Sequence, residues 1–412
     1  MNQLLRQHAD EIIRDAIAAV QPDAAVQRAL AGKKYPGRVL LVAAGKAAWQ
    51  MAKAASDFLG DRIEAGVVVT KYGHVMGPIA NFDCYEAGHP VPDENSFRGT
   101  QAALDLVEDL KPEDTVLFLL SGGGSALFEK PLIPAQELQD ITGQLLACGA
   151  DIVEINTIRK RLSGVKGGRF AKICAPAQVE AVILSDILGD PLDMIASGPA
   201  CPDSATDQDA KNIVRKYDLH LSEEAMHLLD VETPKHLDNV ETQINGSVRE
   251  LCAAAAKTCR RLGYAPVILT DQLCCQAKEA GSFLASILKT HQKDNSSTAF
   301  IAGGETVVKL TGKGKGGRNQ EIALAAAAGI AGMKNVAVFS VGSDGTDGPT
   351  DAAGGYTDGD SCAELQALGI TVDDVLQEND AYNALQKIDG LIFTGPTGTN
   401  VNDVAVALLR AE

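Results

Sequence analysis

The 412-residue chain has a formal net charge of −17, and 45% of its residues are hydrophobic but only 4% aromatic. That balance leaves no basic footprint for nucleic acid, favours a soluble cytoplasmic protein, and requires cores built mainly of Ala, Val, Leu and Ile. The length exceeds what one core ordinarily serves, so two domains are expected.

The first twenty residues, MNQLLRQHADEIIRDAIAAV, interleave charged and apolar side chains, which predicts an amphipathic helix and not a signal peptide. Strands are predicted at Arg38–Ala43, Gly66–Thr70, Thr115–Leu120, Val179–Ser185, Pro266–Thr270, Ala299–Ala302, Asn335–Val341 and Leu391–Thr394. Helices are predicted at Ala47–Leu59, Ser96–Leu110, Ala135–Cys148, Ser247–Leu262, Cys275–His291 and Gln320–Ala331. This alternation implies α/β architecture with parallel sheets and crossover helices. The polar stretch Val231–Gly246 contains Pro234 and ends in Asn245-Gly246, so it reads as a linker between domains spanning 1–235 and 246–412. No segment approaches a membrane-spanning length of apolar residues. The nine cysteines are odd in number and include no C-x-x-C pair, so reduced thiols are expected rather than disulfides or a zinc site.

Open parallel sheets bind ligands beyond the carboxyl ends of their strands, and the small or acidic motifs of this chain fall there. Ser121-Gly122-Gly123-Gly124-Ser125 is a candidate phosphate cradle, because consecutive glycines let backbone N–H groups converge on an anion. Gly303-Gly304-Glu305 ends a later strand. The run Gly312-Lys313-Gly314-Lys315-Gly316-Gly317-Arg318, followed by Asn319, concentrates positive charge on a flexible backbone in an acidic chain. It formally matches G-x-G-x-x-G, yet no acid closes the next strand at dinucleotide-binding spacing, and no P-loop sequence is present. Asn156, Lys160 and Lys166 lie in a second basic cluster facing an anionic substrate. Asp186 and Asp190, and Asp344, Asp347 and Asp351, offer carboxylates for a divalent cation such as Mg²⁺ or for turns. Thr399 and Asn400 close the last motif, and His74 and His89 read as structural or solvated.

Together the stretches AAGKAA, YEAGHPVPDENS, SGGGSAL, NTIRKRLSGVKGGR, SDILGDPLDMIASGP, AGGETVVKL, GKGGRNQE, GSDGTDGPTDAAG and TGPTGTNVND resemble the glycerate 2-kinase family, whose C-terminal half is called MOFRL. They cover almost the whole chain in the family's order. The resemblance implies a Rossmann-like three-layer N-terminal domain, a smaller α/β C-terminal domain, and an active site where the two meet. It implies ATP-dependent phosphorylation of D-glycerate to 2-phosphoglycerate with Mg²⁺, and catalytic positions at Lys46 and Arg318. Nucleotide and substrate are then expected at the Ser121–Ser125 loop, Asn156, Lys160, Lys166, Gly303–Glu305, Asn319, Thr399 and Asn400, with metal at Asp186, Asp190 and Asp344. Ligands held by two domains imply domain closure. A homo-oligomer is left open. The competing readings are an NAD(P)H-dependent hydroxypyruvate reductase, a label often given to family members, and a non-catalytic sensor of organic acids or phosphosugars.

Overall fold

The computed structural model describes residues 1–411. Its two compact units are Ala25–Asn245 and a unit that joins Met1–Ala24 to the chain from Gly246 onward. The expected span 1–235 therefore has to be redrawn at both ends.

In the Ala25–Asn245 unit, β1 (Val39–Ala44), β2 (Ile63–Lys71), β3 (Phe82–Ala87), β4 (Thr115–Leu120), β5 (Gln178–Leu184) and β6 (Val240–Gly246) form one sheet. The order is β3-β2-β1-β4-β5-β6, that of the doubly wound Rossmann sheet. β1 pairs parallel with β2 and β4, β2 with β3, and β4 with β5. β1 (VLLVAA) and β4 (TVLFLL) are buried throughout, because helices cover both faces. Alternate residues feed two cores: Leu41, Ala43, Leu117 and Leu119 pack with helix Ala48–Leu59, while Val42, Ala44, Phe118 and Leu120 pack with Ala103, Phe128 and Phe170. That is the three-layer arrangement expected. A third core gathers helices Ala135–Ala147, Ile152–Arg161, Asp207–Tyr217 and Glu223–Leu229.

Two strands here carried no strand signal. β3 (FDCYEA) and β6 (VETQING) are sheet edges with half-exposed, polar-rich sequences, as edge strands often are. The linker predicted over Val231–Gly246 is corrected accordingly, since its second half is β6.

The other unit has β7 (Ala265–Leu273), β8 (Thr298–Gly304), β9 (Val336–Gly342), β10 (Gly354–Asp358), β11 (Leu391–Ile392) and β12 (Asp403–Leu409). The order is β11-β10-β9-β12-β8-β7. Only β7 and β8 pair in parallel; β12 runs antiparallel to both β8 and β9, and β10 antiparallel to β9 and β11. The expectation of a parallel sheet thus fails for this unit, because β10 and β12 were not read as strands. The insertion of β12 sets Asp403 opposite both Gly304 and Gly342, at the ends of two strands. The N-terminal helix Gln3–Ala19 completes this unit by burying Leu5, Ile12, Ile13 and Ile17. His8 Nδ1 meets the Tyr264 hydroxyl at 2.8 Å, and Thr258 donates to Asp15 at 3.0 Å.

No helix among the described residues is long and apolar enough to cross a membrane. All nine cysteines are free.

Two lysines expected at the ligand lie in the core instead. Lys160, 1% exposed, pairs with Asp203 at 3.1 Å and Asp193 at 3.2 Å. Lys166 is fully buried against Glu129 at 2.8 Å and donates to the Phe128 carbonyl at 2.9 Å. Burial outweighs the Glu129 charge and pushes the Lys166 ammonium down to about 8. Removing one partner of a buried pair strands the other charge. Glu129→Gln is therefore expected to cost about 3–5 kcal/mol in urea unfolding, with Glu129→Gln/Lys166→Met recovering much of the loss; a neutral single variant would refute this account.

Candidate functional site

The switch point of the first sheet lies between β1 and β4, where successive connections depart in opposite directions and a crevice opens at the carboxyl ends. The turns leaving those two strands are bound to each other. Ser121 N donates to the Ala44 carbonyl at 3.0 Å, and Lys46 N to the Gly122 carbonyl at 2.9 Å. The Ser121 hydroxyl accepts from Ala47 N at 3.0 Å.

Each glycine of the triplet answers to a different neighbour. A Cβ on Gly122 would lie 2.1 Å from an Asp186 carboxylate oxygen, and one on Gly124 would lie 2.7 Å from the Ala196 Cβ. Gly123 has φ +84°, and a Cβ there would meet the His89 ring at 3.0 Å and Lys46 Cγ at 3.2 Å. Lys46 and His89 thus flank the loop. Among the described residues no carboxylate comes within ion-pair distance of the Lys46 ammonium. Burial, then Lys46, Lys71 and His74, hold His89 below its ordinary range, so it is neutral beside Lys46. His89, read from the sequence as structural or solvated, lies beside the loop.

Ser125 extends a polar chain inward. Its hydroxyl meets Ser197 Oγ at 3.0 Å, and Ser197 donates to Asn156 Oδ1 at 2.9 Å. Asn156 Nδ2 faces Met194 Sδ at 3.3 Å. Ala196 and Ser197 have φ of 51° and 61°, a backbone cost that non-glycine residues carry most often at functional sites. Arg159 donates to the Ser125 carbonyl at 3.2 Å, while its Nε is buried without an acceptor. Asp190 also has positive φ, and its Oδ1 is buried with no hydrogen-bond partner.

In the other unit the glycine-lysine run is not a free loop. Cβ atoms on Gly312 and Gly314 would fall 2.3 Å from Glu378 and 2.5 Å from Asp380. Asn379 accepts from Thr311 N and Gly312 N at 2.7 and 2.9 Å, and Lys315 stacks 3.9 Å from the Tyr382 ring centre. The glycines permit this backbone packing, so the expected flexibility is corrected and the G-x-G-x-x-G match is explained without a dinucleotide.

The run ends at helix Arg318–Ile330. The Arg318 guanidinium grips Asp403 through Nε at 2.5 Å and Nη2 at 3.1 Å, and Nη1 donates to Glu305 at 3.0 Å. Asp347 caps the helix, accepting from Asn319 N at 3.1 Å and Gln320 N at 2.9 Å. Asn319 is itself engaged, accepting from Ser340 at 2.5 Å. A Cβ on Gly304 would fall 2.1 Å from the Leu273 carbonyl, so Gly304 lets β8 close on β7, while a Cβ on Gly303 would fall 2.4 Å from Cys252 Sγ.

The remaining candidates have local partners, although Asp344 and Asp403 both lie against Gly342. Asp344 accepts from Thr346 N within its own turn at 2.9 Å. Thr399 donates to the Val20 carbonyl at 2.9 Å, and Asn400 accepts from Asn402 N at 3.3 Å. Asp351 accepts from Tyr382 at 2.7 Å. Among the described residues no three His, Cys, Asp or Glu side chains are grouped to hold a metal ion. A site of one or two carboxylates completed by ligand phosphates and water is what Mg²⁺ ordinarily uses, and the unsatisfied Asp190 oxygen fits it.

Burial lifts Asp347 from its ordinary 3.8 to about 7, against the opposing helix N–H groups. Between those values the unfolded chain releases this proton first, so the group's contribution to stability falls as pH rises from about 4 to about 7, by about 1.4 kcal/mol per pH unit at most. Urea midpoints of wild type and Asp347→Asn at pH 5, 6 and 7 should converge as pH rises; a constant gap would refute the shift.

Residues 8–230 match the family described as a domain of unknown function, DUF4147, and residues 298–403 match the MOFRL family. A Thermotoga maritima protein named D-glycerate 2-kinase is 53% identical, with 98% of each chain covered. A Pyrococcus horikoshii protein named glycerate 2-kinase is 40% identical, covering 99% of this chain and 98% of its own. An Agrobacterium vitis protein bearing a hydroxypyruvate reductase name is 38% identical over 90% of this chain and all of its own. The crystal structure of glycerate kinase (EC 2.7.1.31) from Thermotoga maritima superposes with a TM-score of 0.94 at 52% identity, covering 99% of this chain and 100% of that one. The chain belongs to the DUF4147–MOFRL family of glycerate 2-kinases.

Proposed function

We infer that the chain transfers the γ-phosphoryl group of ATP to the 2-hydroxyl of D-glycerate, releasing ADP and 2-phosphoglycerate. The observation that carries this reading is Lys46: an ammonium without a carboxylate partner, beside a three-glycine turn at the switch point of a doubly wound sheet. Such a cation is set to meet an anion brought by a ligand. Phosphoryl transfer asks mainly for positioning and for neutralisation of charge on the moving group. Lys46 supplies such a charge beside the glycine turn, and Arg318 is a second cation suited to the same task. The Ser121–Ser125 turn positions phosphate oxygens, and the Ser125–Ser197–Asn156 chain keeps the turn in shape.

Asp186 and Asp190 would hold Mg²⁺, which would supply positive charge to offset that of a bound triphosphate. Asp344 is occupied by its own turn and is not needed for this. Lys160 and Lys166 support the site from below through their buried pairs, and Thr399 and Asn400 shape the turn before β12.

A reductase would need a nicotinamide site, and the only glycine pattern suggesting one is spent on packing against residues 378–380. A non-catalytic sensor would bind ligand without turnover.

Lys46→Ala and Arg318→Ala are each expected to lower kcat on the order of 10³-fold, with wild-type circular dichroism, in an assay of ADP formation from ATP and D-glycerate. Because Arg318→Ala strands Asp403, Arg318→Lys serves as its folded control. Wild-type turnover in both alanine variants would defeat the assignment. Oxidation of NADH by hydroxypyruvate with no ADP formed from glycerate would establish the reductase instead.

A further inference from the structure

Arg318 holds two carboxylates in very different circumstances, and the difference assigns them different duties. This inference rests on the reading of Arg318 as a cation of the transfer step. Asp403 is 5% exposed and opens β12, where its backbone is registered against Gly304 on one side and Gly342 on the other. Its main chain is thus held on both sides, and its carboxylate is rooted at a fixed point of the sheet. Its two oxygens take Nε and Nη2 together, the side-on bidentate geometry that fixes a guanidinium plane as well as its charge. Glu305 lies just beyond the end of β8, its side chain is 47% exposed, and it touches only Nη1. Among the described residues Arg318 is the sole partner of the Glu305 carboxylate. A half-exposed pair of that kind is held weakly, and its carboxylate regains water when it leaves.

We propose that Asp403 is a positioning residue that fixes Arg318, and that Glu305 is a displaceable stand-in, occupying the outer guanidinium edge until an anionic oxygen of the ligand replaces it. The glutamate keeps the cation compensated in an otherwise ligand-free site, and the exchange of one carboxylate for another anion is nearly balanced. Apparent affinity for the incoming anion is then reduced by the fraction of time that Glu305 holds the edge. The anion is either a phosphoryl oxygen of ATP or the carboxylate of D-glycerate; both present the same paired oxygens to a guanidinium.

The test uses the full chain with Glu305→Gln, Asp403→Asn, Asp403→Glu and Arg318→Ala, titrating ATP and D-glycerate separately by calorimetry and following ADP formation. Glu305→Gln is expected to tighten binding of one of the two ligands about three- to tenfold, and the ligand that responds is the one that meets Arg318. Asp403→Asn is expected to lower kcat about 100-fold while KM moves less than about threefold, because orientation in the transition state is lost and not ground-state binding. Asp403→Glu should restore part of kcat, which a merely structural loss would not show. If Asp403→Asn fails to fold, the Glu305→Gln titration still decides. Unchanged or weaker binding of both ligands by Glu305→Gln overturns the proposal, as does near wild-type kcat in Asp403→Asn. Arg318→Ala separates the failures: if it is inactive while the other variants behave like wild type, this inference alone falls, whereas wild-type turnover in it removes the underlying reading as well.

Discussion

The hydrogen bond from Lys46 N to the Gly122 carbonyl, with the Ser121 hydroxyl reaching into Ala47 N, joins two turns that leave adjacent parallel strands. Much of the candidate chemistry of the first unit hangs from that join. It requires Gly45, where a Cβ would fall 2.2 Å from the Ser121 hydroxyl, and it brings the lysine side chain alongside Gly123. It also fixes the height at which Asp186, His89 and Ala196 meet the triplet. Backbone groups held by backbone groups move little, so the anion-facing surface is built before any ligand arrives. Preorganisation of this sort is where electrostatic catalysis gains most.

The two cations are prepared in opposite ways. Lys46 is left uncompensated, with a neutral histidine beside it. Arg318 is compensated twice, and its helix is capped by the buried Asp347, whose own proton affinity is raised by burial. A guanidinium stays charged in every accessible pH range and can sit among acids without losing its proton. A deeply buried ammonium holds its proton less firmly, as Lys166, pushed down to about 8 by burial, shows. The division suits each side chain's chemistry.

The central strands of the first sheet were legible because they are unbroken apolar runs bounded by glycine, and their parallel pairing followed from strand–helix alternation, whereas the three-layer arrangement was an implication of the family resemblance. β3, β6, β10 and β12 were not legible. β3 and β6 are polar edges, and β10 (GGYTD) begins with two glycines, Gly354 against the Ser340 backbone and Gly355 against the Leu385 and Ala323 side chains. β12 (DVAVALL) is a short apolar stretch whose pairing with β8 and β9 is a long-range fact. Missing β12 hid Asp403, although the motif containing it was noticed. Lys160 and Lys166 show the limit from the other side: a cluster of basic residues near glycines looks ligand-facing, and only tertiary packing reveals the buried Asp203 and Glu129 that hold them. The swap of the N-terminal helix into the later unit is equally invisible to local patterns, since its amphipathic face fits any apolar partner.

That swap has a bearing on how the molecule is made. The Ala25–Asn245 stretch contains its own sheet and three apolar cores, and all of it is synthesised before the part of the later unit from Gly246 onward. Helix Gln3–Ala19 is synthesised earlier but finds its partners, Thr258, Tyr264 and the turn at Thr399, only afterwards. At translation speeds of about 5–20 residues per second, the wait is on the order of tens of seconds. During it, the apolar stripe of Leu5, Ile12, Ile13 and Ile17 lacks the surface that covers it in the folded unit.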